Sequence, residues 1–365
     1  MKQQKKPTKK NRKAPQKIWQ YIRSHRWSKW AAVVLAVSLG TFVLWIGSIY
    51  LFYIYYHQKH KNEPVTFGVT YIADYARYLD LDPKETLLAL RDDLGFRRFR
   101  LVSYWKQIEP QKGKYDFSEL DWQIKQVSKV NGEVTLAIGL RQPRWPECHF
   151  PEWVDQQNKD EWYAELNEYI TKVVTHYKNN PTITSYQLEN EFFLDVFGKC
   201  GDHNRQRLID EYKLVKKLDP NRPVILSLAN NYFGVPTGQP RPDQFGVSVY
   251  KRVFDYTVTH RYFEYPFPAW YYGGRAGMTE ALTGKSSMLH ELQAEPWPPM
   301  AVKDASIEEQ DKSMDANRLV SRLNYAEDTG FKDIDLWGGE WWYWRKIKFN
   351  DPSLWDTIKQ ADLNK

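Results

Sequence analysis

The stretch Ile183–Phe192 reads ITSYQLENEF, and the rest of the chain is organised around it. Its apolar, β-branched run closes on Asn190-Glu191. A buried strand of this kind delivers whatever sits at its carboxyl end to a loop mouth. In a (β/α)8 barrel that mouth is where the chemistry takes place. The pattern predicts that Glu191 is a catalytic acid and that a second carboxylate stands opposite it. A surface carboxylate, or a cap for the following segment, gives the same local sequence.

Working outward, strand and helix patterns alternate from Val65 to the carboxyl terminus. Strands are expected at Val65–Tyr71, Phe96–Trp105, Glu133–Leu140, Ile183 onward, Pro223–Ala229, Phe245–Tyr250, Ser286–Glu291 and Asp333–Gly339. Helical spacing fills Pro83–Leu94, the segment from Ser118, Glu161–Lys178, Arg205–Leu218, Ile307–Thr329 and Ser353–Gln360. Arg252–Lys285 is long and irregular. This alternation predicts an α/β chain closed as a (β/α)8 TIM barrel over residues 65–365. A doubly wound sheet is the alternative, but no Gly-rich phosphate turn follows the first strand. The same absence argues against a phosphate-handling barrel.

The amino terminus has a different character. Residues 1–30 carry eleven Lys and Arg and no acid; the remainder holds 41 basic and 45 acidic residues. The positive balance therefore belongs to a tail, and a nucleic-acid partner is not expected. Residues 31–56, AAVVLAVSLGTFVLWIGSIYLFYIYY, contain no charge and are long enough to cross a bilayer as one helix. Trp27 and Trp30 flank one end, and Tyr53, Tyr55 and Tyr56 the other, as interfacial belts do. The basic flank predicts a cytoplasmic tail and an extracytoplasmic domain joined by a linker at 57–64. A cleaved signal peptide and a buried core helix are the competing readings. Cys148 and Cys200 fall in loops after neighbouring strands. They are candidates for a disulfide, with free thiols as the alternative. They make a poor metal site, and neither HExxH nor CxxC occurs, so no metal or cofactor is expected.

The motifs from Val65 to Trp344 resemble the clan A glycoside hydrolases, the superfamily of retaining (β/α)8 glycosidases. The resemblance rests on Asn190-Glu191, on the segment FRLVSYWKQIEPQKGKYDFSELD (Phe99–Asp121), on QPRWP (Gln142–Pro146), on SSMLHELQAEPW (Ser286–Trp297) and on DLWGGEWW (Asp335–Trp342). It implies Glu191 as acid/base, Glu291 as nucleophile, and Arg100 and Tyr250 as supports for Glu291. It also implies that Asn190 holds a sugar hydroxyl. A carbohydrate partner follows.

The residues give the same chemistry a physical basis. Glycoside cleavage needs one carboxyl group to protonate the leaving oxygen and another to attack the anomeric carbon. The acid must keep its proton, through burial or a nearby negative charge; the nucleophile needs donors and positive charge. Glu295 is the alternative nucleophile, although Ala294-Glu295-Pro296 reads as loop. Arg100 has a structural alternative as the partner of an acid inside the barrel. Tyr250 has one as a core aromatic. Glu340 is a further loop acid, and strand alternation turns His290 away from the site. Trp337 leads the stacking candidates because the clan carries a Trp at that strand end, followed by Trp105 and Trp145. The run Tyr262–Tyr272 either covers the cleft or rests on the membrane. Two functions are expected: a membrane-anchored retaining glycoside hydrolase, or a catalytically inactive barrel that binds surface glycan.

Overall fold

The computed structural model describes residues 26–361 and 363, except 195, 231 and 233–235; Arg26–Ser28 are described as backbone only. The basic residues before Arg26, and the side chain of Trp27, lie outside the described residues. The chain divides into two units, Met1–Leu51 and Phe52–Lys365.

Helix α1 runs from Arg26 to His60. The segment Lys29–His60 is long and apolar enough to cross a bilayer by length and composition. Within the first unit its side chains are exposed on most faces, Leu35 and Leu44 among them. Residues 57–60, expected to begin a linker, form the last turn of this helix instead.

In the second unit, eight parallel strands close into a barrel. They are β1 (Thr66–Thr70), β2 (Arg98–Val102), β3 (Glu133–Ile138), β4 (Ile183–Leu188), β5 (Val224–Leu228), β6 (Gln244–Val249), β9 (Ser286–Gln293) and β10 (Asp333–Trp337), with β10 pairing back onto β1. β7 (Arg252–Phe254) and β8 (Tyr262–Glu264) form an antiparallel hairpin outside the barrel. The strands are buried over nearly their whole length, as parallel strands covered on both faces must be. Around them lie α2 (Pro83–Leu88, continued by a π-helical turn, Ala89–Asp93), α3 (Ser118–Ser128), α4 (Lys159–Tyr177), α5 (Arg205–Leu218), α6 (Ala269–Thr283), α7 (Ala316–Asp328), α8 (Gly339–Lys348) and α9 (Ser353–Ala361).

Some expectations need correction. Arg252–Lys285 is not irregular: it holds the β7–β8 hairpin and α6. Gly273, Gly274 and Gly277 hide α6 from a propensity reading. The role of Gly273 and Gly277 is close packing. A Cβ at Gly277 would stand 2.4 Å from the Phe52 carbonyl oxygen, and one at Gly273 would stand 2.0 Å from that of Thr329. The end of α1 seats on this face. Tyr53 donates its hydroxyl to the Asp328 carbonyl, and Lys59 and His60 both reach Glu280, at 2.5 and 2.9 Å. The expected helix Ile307–Thr329 is broken, because Asp315 caps α7 by accepting from the Arg318 amide. The end of the expected strand Asp333–Gly339 is already α8.

Candidate active site

Successive inward positions on β2 separate structure from chemistry. Arg98, low in the barrel, donates to Asp333 (2.6 Å) and Asp335 (2.9 Å). Gly68 leaves room for this pair, since a Cβ there would stand 2.3 Å from Asp335 Oδ1. The structural acids are thus taken by Arg98. Arg100, two residues higher and fully buried, is left for the mouth. Its Nη1 donates to Glu291 Oε1 at 2.7 Å, its Nη2 to Asn190 Oδ1 at 2.9 Å and its Nε to Gln187 Oε1 at 2.5 Å. Tyr250 donates its hydroxyl to the other Glu291 oxygen at 2.9 Å. Both Glu291 oxygens therefore accept a hydrogen bond, one of them from a cationic donor. The Tyr250 hydroxyl keeps its proton, with its pKa pushed well up by burial and by Glu291.

Glu291 reaches this position through an irregularity in β9. Val247 of β6 pairs with Leu289, but Ser248 pairs with Glu291, so His290 is an extra residue on β9. Bulges of this kind re-aim the side chains beside them. Strand alternation therefore fails at His290. Its imidazole is buried against Gly246 and stands 3.9 Å from Glu291, rather than turned away. Burial, helped by Arg100, holds that imidazole well below its usual pKa and so neutral.

Just past β4, Glu189 and Glu191 both adopt positive φ, 54° and 41°. They do different work. Glu189 accepts from the backbone N–H groups of Leu140 and Arg141 and pairs with buried Arg207, which fixes the turn. The Glu191 amide donates to Ser227 on β5 at 2.6 Å. The buried Glu191 carboxyl has its pKa pushed well above the usual range, first by desolvation, then by Glu291 and Glu147. One carboxyl is thus kept protonated and the other is given donors and a positive charge. This pairing allows proton donation and attack from one cavity.

That cavity, about 590 Å³, is lined by Glu191, Glu291, Asn190, Tyr250, Trp145, Trp337 and Glu295. Glu295 is occupied by other partners: Trp337 Nε1 donates to it at 2.7 Å and Arg144 at 3.1 Å. The Arg144 guanidinium carbon also stands over Tyr75 and Trp337, at 3.3 and 4.5 Å from the ring centres. Trp145 is 54% exposed at the rim. Trp105 is absent from the lining. It is fully buried, donates to Glu109 and packs on Tyr169 and Trp153, so it belongs to the core. Glu340 is absent from the lining; it is buried and accepts from the Ile72 amide at 2.5 Å. Burial pushes its pKa to about 7.

Sequence reasoning passed over Glu147. It follows the Trp145-Pro146 peptide at positive φ, is buried in the lining, and accepts from Asn190 Nδ2 at 2.9 Å. Burial pushes it to about 7, against the pull of Arg141 and Asn190. Its position immediately after QPRWP was the available signal. Gln187 and Ser227, polar residues inside apolar strands, were signals of the same kind. Asn230 also lines the cavity, and its Nδ2 has no protein partner. Cys148 and Cys200 form a disulfide that braces the Trp145–Glu147 segment against the loop after β4.

A glycoside hydrolase family 42 model, described as beta-galactosidase, matches residues 91–222. The beta-galactosidase BgaH of Haloferax lucentense is 26% identical over 179 residues, which is 42% of this chain and 26% of that protein. The chain thus spans about a quarter of the length of that curated relative. Among solved structures, GH5_18 from Streptomyces cattleya in complex with GlcNAc has a TM-score of 0.55 at 13% identity, over 75% of this chain and 70% of that one. The exo-beta-1,4-mannosidase Op5Man5 from an Opitutaceae bacterium has a TM-score of 0.54 at 15% identity, over 82% and 60%. With its closed parallel barrel and its motifs in order along the strands, the chain is a (β/α)8 barrel of the clan A glycoside hydrolase superfamily.

Proposed function

We propose that this chain is a membrane-anchored glycosidase that cleaves O-glycosidic bonds by a retaining double displacement. The observation that carries the reading is the pairing of a buried, proton-holding Glu191 with a Glu291 held by Arg100 and Tyr250 in one cavity. In the first step Glu191 protonates the leaving oxygen while Glu291 bonds to the anomeric carbon. In the second, Glu191 takes a proton from water as that water displaces Glu291. The reaction written this way needs no metal or organic cofactor. Asn190, fixed between Arg100 and Glu147, would hold a sugar hydroxyl, and Trp337 would meet a ring face. The apolar stretch 31–56 serves as the bilayer anchor, with the basic tail cytoplasmic and the barrel extracytoplasmic.

The names of the relatives make aryl β-D-galactosides the first substrates to test. The anomer released is read by proton NMR during turnover. Initial release of the β-anomer supports retention, while the α-anomer overturns it. Turnover that survives in both Glu191→Gln and Glu291→Gln removes these residues from the chemistry. Saturable sugar binding with no turnover returns the alternative of an inactive glycan-binding barrel.

A further inference from the structure

The cavity has two chemically different ends. Around the strand termini its lining is polar or ionised: Asn190, Glu191, Glu291, Glu295, Arg144 and Tyr250. The loop after Glu191, the β7–β8 hairpin and the segment after β9 supply a different surface, made of Leu194, Val196, Phe197, Val253, Phe254 and Trp297. The Asp255 carboxylate and the Tyr256 hydroxyl near that surface are already used within the protein. Asp255 accepts from both the amide and the hydroxyl of Thr257, and from both of Thr259. Tyr256 donates its hydroxyl to the Pro298 carbonyl. The rings also engage one another, with Trp297 at 5.3 Å from Tyr250 and 5.9 Å from Phe197, centre to centre.

A sugar bound here would meet few partners for its hydroxyl groups, and polar groups that lose water without replacement weaken binding. Leu194, Val196 and Val253 are branched aliphatics and offer no flat ring face to a pyranose, while Phe197, Phe254 and Trp297 beside them pack on other rings of the protein. The aliphatic part of this surface suits a hydrocarbon. The position is also informative, because the loop bearing Leu194, Val196 and Phe197 follows Glu191 directly, and the leaving group departs beside its proton donor.

We propose that this surface is a leaving-group subsite for an apolar alcohol, so that the substrates are glycosides of a hydrocarbon alcohol rather than of a second sugar. The inference rests on Glu191 as the acid of the proposed hydrolase. The bond broken joins the anomeric carbon to the alcohol oxygen. The Glu191 proton goes to that oxygen, the alcohol leaves, and water then supplies the hydroxyl of the released sugar.

The test uses the full chain in lipid nanodiscs as Glu291→Gln, so that binding is read without turnover. Methyl, butyl and hexyl β-D-galactosides are titrated by calorimetry, with empty nanodiscs subtracted. Affinity is expected to rise roughly two- to fourfold per methylene. Val196→Asn, at a side chain 83% exposed and therefore tolerant of change, is expected to flatten the series. Equal affinity for the three ligands, or tighter binding of a β-linked disaccharide than of the hexyl glycoside, overturns the inference. Turnover in the parent chain separates the two readings. Hydrolysis of methyl and hexyl glycosides at one common kcat/KM leaves the hydrolase standing and removes the subsite. Chain-length-dependent binding without any turnover does the reverse.

Discussion

At the residue scale, Arg100 links the two halves of the site. One guanidinium fixes Glu291 and the Asn190 beside Glu191. Arg100→Lys keeps the charge but cannot span both, so kcat should fall sharply with little loss of fold, checked by steady-state kinetics beside thermal unfolding. Glu191→Gln should lower kcat/KM by about 10²–10⁴ for substrates whose leaving oxygen needs a proton, and by much less for a strongly acidic leaving group. Glu147 bears on the pH dependence expected of the proposed reaction, behind burial and Glu291. Its charge helps to keep Glu191 protonated. Glu147→Gln removes that charge, lowers the Glu191 pKa and should move the alkaline limb of kcat/KM to lower pH. An unmoved limb would show that Glu147 acts only through Asn190. Glu340 gives a stability prediction. Its folded pKa of about 7 lies above the ordinary value of 4.5. Its favourable contribution is therefore full below about pH 4.5 and is lost as pH rises through 7. Glu340→Gln should match the parent near pH 4 and unfold at a higher temperature above pH 7.

At the element scale, much of the barrel was legible in the sequence because buried parallel strands leave short apolar runs with turn residues between them. Asn190-Glu191 was legible because a strand end locates it. Other features depended on contacts that only the folded chain brings together. The bulge at His290 is a pairing irregularity with β6, and no period in the sequence records it. Helix α6 is rich in glycine because a second helix lies against it, so local propensity misreads it. Trp105 and Trp145 look alike in sequence, yet one is core and the other rim. Neighbours from α4 decide the first, and the disulfide-bearing loops the second. The Cys148–Cys200 link is an element-scale device: it closes a separation of 52 residues, for which chain entropy gives about 4 kcal/mol. Cys148→Ser with Cys200→Ser should lower the unfolding midpoint and also reduce kcat/KM, by loosening Trp145 and Glu147. A lower midpoint with unchanged kinetics would confine the bridge to stability.

For the whole molecule, the second unit is a barrel that includes a piece of the preceding helix. A chain shortened to begin at Lys61 loses the ion pairs to Glu280 and uncovers the glycine face of α6. It should unfold at a lower temperature than a chain beginning at Phe52, as calorimetry would record. Equal midpoints would mean that residues 52–60 contribute nothing to the barrel. The seat of this helix end also has a mechanical meaning. Only Lys61–Val65 separate α1 from β1, and the contacts of Tyr53, Tyr56 and Lys59 lie near the amino-terminal ends of β9 and β10. There is no slack cord at this joint. A pull on the last turns of α1 is borne as shear by α6 and the α7–β10 connection, at the end of the barrel remote from Glu191 and Glu291. Traction on the joint is thereby kept off the carboxylates on whose spacing the proposed chemistry depends.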